Sequence, residues 1–197
     1  WDMLPWRSYN VGDLMPGETA FFMQTSRGCP YTCNYCPYPV SQGHKFRKRS
    51  PKSVLAEFAH LSERFGAKSV VIRDPEFTLD RRRIVDICRG LIDSGSEIVW
   101  RCETRADTLD VELLELMRQA GCIGINMGIE SKSAEVCRRV ERFPLKPPET
   151  MEIMRRCREL GIHTFCFFIA GLPGDTWSTI SETIGYAIAL DPGTAQF

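Results

Sequence analysis

This sequence has no run of 18 apolar residues, so no segment of it reads as a membrane-spanning helix. It has no charge excess either, since 25 Lys and Arg balance 25 Asp and Glu. That balance removes the electrostatic case for a nucleic-acid partner or a strongly charged membrane surface. Histidine is scarce, at three residues, and neither an H-E-x-x-H run nor a Ser-His-Asp pattern is present. Hydrolysis by a zinc-bound water or an activated serine is thereby left without its usual residues. The opening residues lack the charged-then-apolar run of a secretory leader. A cytoplasmic location is the expectation.

Cysteine is plentiful, with nine in 197 residues. Three of them stand in Ser26-Arg27-Gly28-Cys29-Pro30-Tyr31-Thr32-Cys33-Asn34-Tyr35-Cys36-Pro37, spaced C-x3-C-x2-C, and no fourth follows until Cys88. Random placement gives a chosen cysteine partners at both +4 and +7 with a probability of only about 0.2%. Three thiolates on one short loop can hold three corners of a cubane iron–sulfur cluster, leaving the fourth iron open to a non-protein ligand. A closed structural zinc site takes four ligands, one more than this loop supplies. His44 could complete such a site, although a solvated loop histidine is the commoner state. The remaining cysteines, Cys88, Cys102, Cys122, Cys137, Cys157 and Cys166, lie singly in helix- or strand-like segments. The odd total of nine, with these six placed singly, argues against a disulfide framework and for buried thiols in a reducing compartment.

Residues 1–17 contain Pro5, Gly12, Pro16 and Gly17 without a clear period and read as a linker from a missing upstream domain. Residues 18–197 read as one core domain that stops at the start of a strand, and it is therefore expected to be incomplete at its C-terminal end. Within it, Gly66, Gly95, Gly121 and Gly161 each close a helical pattern directly before an apolar run. Val54, Leu55, Phe58, Leu61 and Phe65 fit a 3.6-residue period, as do Ile84, Ile87, Cys88, Leu91 and Ile92, and again Leu113, Leu114 and Met117. Ser50 with Pro51, Asp80, Asp110, and Asp175 or Thr176 read as helix starts. Strands are expected near residues 21–26, 69–72, 98–102, 122–127, 164–169 and from Thr194 onward, most of them buried apolar runs. The Pro-rich stretch 143–148 reads as a loop splitting the fourth crossover.

Strand and helix in alternation imply parallel pairing with right-handed crossovers. The fold class is therefore α/β, a partial (β/α)6 TIM-like barrel, with chemistry at the C-terminal strand ends. The thiol loop follows the first strand at that end. Asp74, Glu103 to Asp107, Gly128 to Ser131 and Gly171 to Asp175 follow the next four. Plainer roles stand beside these positions. Asp74 and Asp107 could cap turns, Arg105 and Glu130 could form an ion pair across the mouth, and Gly171, Pro173 and Gly174 are turn residues on either reading.

The thiol spacing resembles that of the radical S-adenosylmethionine superfamily, whose signature has an aromatic residue just before the third cysteine, a place Tyr35 fills. Thr25-Ser26-Arg27-Gly28-Cys29-Pro30, Asp74 with Phe77-Thr78, Gly128-Ile129-Glu130-Ser131 and Gly171-Leu172-Pro173-Gly174 extend the likeness across nearly the whole chain. Together they look like the branch with an upstream cobalamin-binding domain, which includes cobalamin-dependent methylases and the anaerobic magnesium-protoporphyrin monomethyl ester cyclase.

The resemblance implies a 4Fe–4S cluster on Cys29, Cys33 and Cys36, with S-adenosylmethionine chelating the open iron through its amino and carboxylate groups. Reductive cleavage would then yield a 5′-deoxyadenosyl radical for hydrogen abstraction from an organic small molecule. By the same likeness Tyr35 contacts adenine and Asp74 stands near the glycine-rich motif that binds the cofactor's amino group. Arg105 reaches its carboxylate, Glu130 its ribose, and Ile169 packs on adenine. Pro75 departs from the family's frequent pair of acids after the second strand. Cobalamin would enter through the missing domain, and an electron donor such as flavodoxin or ferredoxin would be a partner. A non-catalytic metal-binding or scaffold module is the competing reading.

Overall fold

Ser50 opens the first long helix by accepting the backbone N–H of Ser53 at 3.2 Å, with Pro51 already in the first turn. The same logic starts the others, in a computed structural model that describes residues 20–197. The linker expected at residues 1–17 lies outside the described residues. After strands β1 (Ala20–Met23) and β2 (Ser26–Arg27) come helix α1 (Tyr38–Gln42), strand β3 (Arg47–Lys48) and helix α2 (Pro51–Phe65). The chain continues with β4 (Ser69–Ile72), α3 (Arg81–Asp93), β5 (Val99–Thr104), α4 (Val111–Gln119) and β6 (Cys122–Glu130). It ends with α5 (Ala134–Arg139), α6 (Pro147–Glu159), β7 (His163–Phe168), α7 (Trp177–Leu190) and β8 (Thr194–Gln196). Asp80 and Asp110 cap α3 and α4, and Thr176 forms a reciprocal capping box with Thr179 at the start of α7.

Six strands form one parallel sheet in the order β1-β4-β5-β6-β7-β8. The helices between them cover one face. Trp100, Cys102, Ile125, Met127, Cys166 and Phe168 turn to that side and join Phe58, Leu61, Ile84, Ile87, Leu113, Leu114 and Met117 in one core. The sheet is an open arc, as the six-fold strand–helix rhythm implies. The continuous burial expected of most strands is replaced in β5 and β7 by alternation, with Arg101, Glu103, Phe165 and Phe167 half-buried on the uncovered face. An unclosed barrel exposes its concave side, and these residues line it. The six single cysteines are all free and buried, and burial alone pushes the Cys166 thiol up to about 12.

Two features were not foreseen. Strands β5 and β6 run on to Thr104 and Glu130, so residues read as loop sit at strand ends. And β2 pairs with β3 in a separate antiparallel ribbon, Ser26 opposite Lys48 and Arg27 opposite Arg47.

Asp110 offers a direct check on the capping. Its carboxylate accepts the Leu113 N–H at 2.8 Å and two bonds from Arg81, at 2.7 and 3.1 Å. Asp110→Ala is expected to cost about 1 kcal/mol, read from the urea midpoint near neutral pH. Hydrogen bonding from Arg81 holds the Asp110 carboxyl below its ordinary value. That stabilisation is present above the unfolded value of about 3.9 and is lost as pH falls through the lower folded value. The gap between the parent and the variant should therefore close on acidification below about pH 3.

Candidate functional site

Gly28 sets the geometry of the thiol loop. Its φ is +84°, and a Cβ there would run into the carbonyl oxygen of Lys45. The next residue, Cys29, donates its N–H to Gly43 at 3.2 Å, and Asn34 donates to Val140 at 3.1 Å. The loop is thus pinned to the β3 approach on one side and to the end of α5 on the other. Gly28→Ala is expected to displace Cys29 and reduce metal incorporation at least several-fold, measured as bound iron after anaerobic reconstitution.

Behind this loop lies a buried brace. Asp74 is fully buried and accepts the Thr25 N–H at 2.6 Å, the Thr25 hydroxyl at 2.5 Å and the Ser26 hydroxyl at 2.6 Å. Arg83 reaches the same residue from α3, donating to the Thr25 carbonyl at 2.8 Å and the Arg49 carbonyl at 2.9 Å. A carboxylate with both oxygens engaged in this way is a strut. The position expected to stand near the motif that binds a cofactor amino group therefore holds up the thiol loop from behind, and its side chain is not among the cavity walls.

The cavity itself encloses about 110 Å³ at the C-terminal strand ends. Cys29, Cys33, Cys36 and Tyr35 line it. Arg105, Glu130 and Arg142 line it as well, with Glu76 and Glu103. Burial raises the thiols of Cys29 and Cys36 above the ordinary cysteine value, so metal capture must release their protons. Among the described residues no three His, Cys, Asp or Glu groups close on a single-ion site. The thiols line a cavity instead, and His44 is exposed. Three thiols lining one cavity, with no fourth ligand converging on them among the described residues, fit a cluster larger than one ion.

Glu130 and Arg142 meet in this cavity at 3.6 Å, both nearly buried. Arg142 also donates to the Tyr35 hydroxyl at 3.3 Å and to the Gly128 carbonyl. Burial raises the Glu130 carboxyl above its usual value, and the Arg142 guanidinium opposes that rise. Glu130 has φ +63° where the β6–β7 register shifts, a conformation L-residues adopt at a cost of about 1–3 kcal/mol. The strain aims its side chain into the cavity. Glu130→Gly should accordingly be more stable than Glu130→Ala by about 1 kcal/mol in urea titrations of the metal-free chain, although both lose the carboxylate.

Arg105 does not pair with Glu130. It grips Asp107 at 2.8 and 2.7 Å, donates to the Phe143 carbonyl at 3.0 Å and lies 4.7 Å from the Tyr31 ring centre. Its Nη1 is buried without a partner, a donor held ready for an acceptor from outside the chain. Glu76 fixes this arrangement by accepting the Arg105 N–H at 3.0 Å together with the Thr104 and Thr108 hydroxyls. Ile169 does not line the cavity. It packs with Tyr35 on the small apolar cluster of Val136, Val140 and Leu172.

Three thiols, a strained carboxylate and a waiting guanidinium at the C-terminal edge of an open parallel sheet define an α/β domain suited to a metal cluster and a small cofactor that bears a carboxylate. The chain belongs to the radical SAM superfamily, which its residues 23–187 match. It is 29% identical over 197 residues, all of this chain and 42% of the relative, to an uncharacterized methyltransferase of Pyrococcus horikoshii. It is 30% identical over 201 residues to the anaerobic magnesium-protoporphyrin IX monomethyl ester cyclase of Cereibacter sphaeroides, covering all of this chain and 32% of that enzyme. The chain thus spans less than half the length of these relatives. Its fold matches the radical S-adenosylmethionine methyltransferase TsrM of Kitasatospora setae, solved with tryptophan and a cofactor analogue. The TM-score there is 0.84 at 24% identity, over 90% of this chain and 35% of that one. No helix among the described residues is long and apolar enough to cross a membrane.

Proposed function

We propose that this domain binds a 4Fe–4S cluster on Cys29, Cys33 and Cys36 and reductively cleaves S-adenosylmethionine there. The observation that carries the reading is the meeting, in one cavity, of three thiols lacking a fourth ligand with Glu130, Arg142 and the unpartnered Nη1 of Arg105. The cluster and cofactor together supply one-electron cleavage of a sulfonium and hydrogen abstraction from an organic small molecule. The residues of the chain position and shield. Arg105 Nη1 is suited to the cofactor carboxylate, the Glu130 carboxylate to its ribose, and Tyr35 with the Ile169 cluster to its adenine. Asp74 is reassigned from ligand contact to support of the loop.

The curated relatives are longer, so the activity of the parent protein is a further reading. Methylation or cyclisation with cobalamin from an upstream domain is favoured by a methyltransferase and a cyclase among them, and by TsrM, which was solved with cobalamin and a [4Fe–4S] cluster. A cytoplasmic setting, residues 1–17 as an interdomain linker and an acidic electron donor complete it.

The test is anaerobic reconstitution with iron and sulfide, then dithionite and S-adenosylmethionine. Brown protein, about four irons per chain and 5′-deoxyadenosine are expected. Zinc at about one per chain, with no iron taken up, would instead support the non-catalytic metal-binding module.

A further inference from the structure

The β2–β3 ribbon sets two arginines against each other. Arg27 and Arg47 are direct cross-strand partners, and both are exposed. Like charges in that position destabilise a ribbon, and this ribbon has only two residues per strand. Neither arginine has a carboxylate partner among the described residues. Arg27 donates to the Gln24 side-chain oxygen at 2.9 Å, and Arg47 to the Lys45 and Gln42 carbonyls at 3.1 and 2.7 Å. Lys48 and Arg49 beside them are paired with Asp80 and Glu57, whereas Lys45, also exposed, is in no ion pair among the described residues. Arg27, Arg47, Lys48 and Arg49, with Gln24 and Ser26, line a groove of about 380 Å³. It shares no residue with the thiol cavity.

The location gives this charge a use. Gly28 follows Arg27 directly and passes so near the Lys45 carbonyl that a Cβ would collide with it, and Cys29 is hydrogen-bonded to Gly43. The basic surface and the first thiol therefore belong to one hydrogen-bonded turn. The net charge of the chain is zero, so the patch is a local steering field, without the broad positive surface that a polyanion needs. Its groove also lacks an aromatic wall on which bases could stack.

We propose that the β2–β3 ribbon is the docking face for a small acidic one-electron carrier protein, which delivers its electron beside Cys29. The inference rests on the reductive reading of the site above. The carrier is oxidised by one electron and the metal group is reduced by one. No bond is made or broken and no proton is transferred.

The test uses the reconstituted protein, reduced flavodoxin as the acidic carrier, and anaerobic stopped flow without S-adenosylmethionine, following flavin oxidation. The variant is Arg27→Glu with Lys45→Glu, which leaves the Arg47 brace of the loop in place. Its second-order rate constant with flavodoxin should fall at least about ten-fold at low salt and lose most of its salt dependence. Reduction by dithionite should stay within about two-fold of the parent protein, which also reports that the loop is intact. Equal flavodoxin rates in parent and variant overturn the proposal. So does an equal slowing with both reductants, or displacement of flavodoxin by single-stranded RNA or inorganic phosphate at about 150 mM salt. Fast, charge-dependent reduction without 5′-deoxyadenosine formation would sustain the docking face and remove the cleavage reading. Dithionite-driven cleavage with a charge-independent flavodoxin rate would do the reverse. Failure to take up iron removes both.

Discussion

Replacing Cys33 with alanine is expected to lower bound iron from about four per chain to well under one, and to abolish 5′-deoxyadenosine formation. Three thiols hold the group, so losing one leaves two, and among the described residues no fourth thiol lines the cavity to substitute. The fold should survive, because Cys33 is only half-buried and packs in a loop. Cys166→Ala supplies the opposite outcome. That thiol is wholly buried in the core, its sulfur 3.9 Å from Met154 Sδ, and its loss should cost about 1–2 kcal/mol with iron uptake unchanged. Iron analysis and urea titration of the two variants therefore move independently. If Cys166→Ala lost iron as fully as Cys33→Ala, the separation of loop thiols from core thiols would be wrong.

The second large effect is on stability. Asp74→Ala should destabilise the metal-free chain by about 3–5 kcal/mol. It strips three donors of their acceptor and leaves the buried Arg83 without the carboxylate beside it. Asp74→Asn keeps the shape and one acceptor oxygen, and should cost roughly half as much. The measurement is the chemical-denaturation midpoint, with S-adenosylmethionine affinity measured separately on reconstituted protein. A residue that only touched the cofactor would leave the midpoint in place and weaken binding. A strut does the opposite first, and loses cluster and cofactor as a consequence of the loop it no longer holds.

What the sequence made legible follows a physical division between local and distant determinants. Caps, the glycines at helix ends and apolar periodicity act within a few residues, so Ser50, Asp80, Asp110 and Thr176 begin helices where they were expected to. The thiol loop was legible for the same reason, being one contiguous string. Side-chain direction is another matter, because it is set by pairing across the sheet. Asp74 could be placed at a strand end, yet only the approach of Thr25 and Ser26, 49 and 48 residues away, decides that it points behind the loop. Arg142 lay in a stretch with no period, and its role comes from partners distant in the chain, the Tyr35 hydroxyl, the Gly128 carbonyl and the Glu130 carboxylate. Glu76 was within reach. The acid missing at Pro75 stands one residue later, at Glu76, which organises Thr104, Arg105 and Thr108. The β2–β3 ribbon could not be seen, since two two-residue strands 20 positions apart carry no pattern.

One spectrum bears most directly on the open corner that the three thiols leave. Reconstituted protein, reduced with dithionite, is frozen with S-adenosylmethionine carrying ¹⁵N in its amino group, and electron–nuclear double resonance is recorded. Coordination at the cluster predicts an altered electron resonance signal and a resolved ¹⁵N coupling that disappears in Cys33→Ala. A spectrum identical with and without the cofactor, in protein that holds a full complement of iron, would contradict the account.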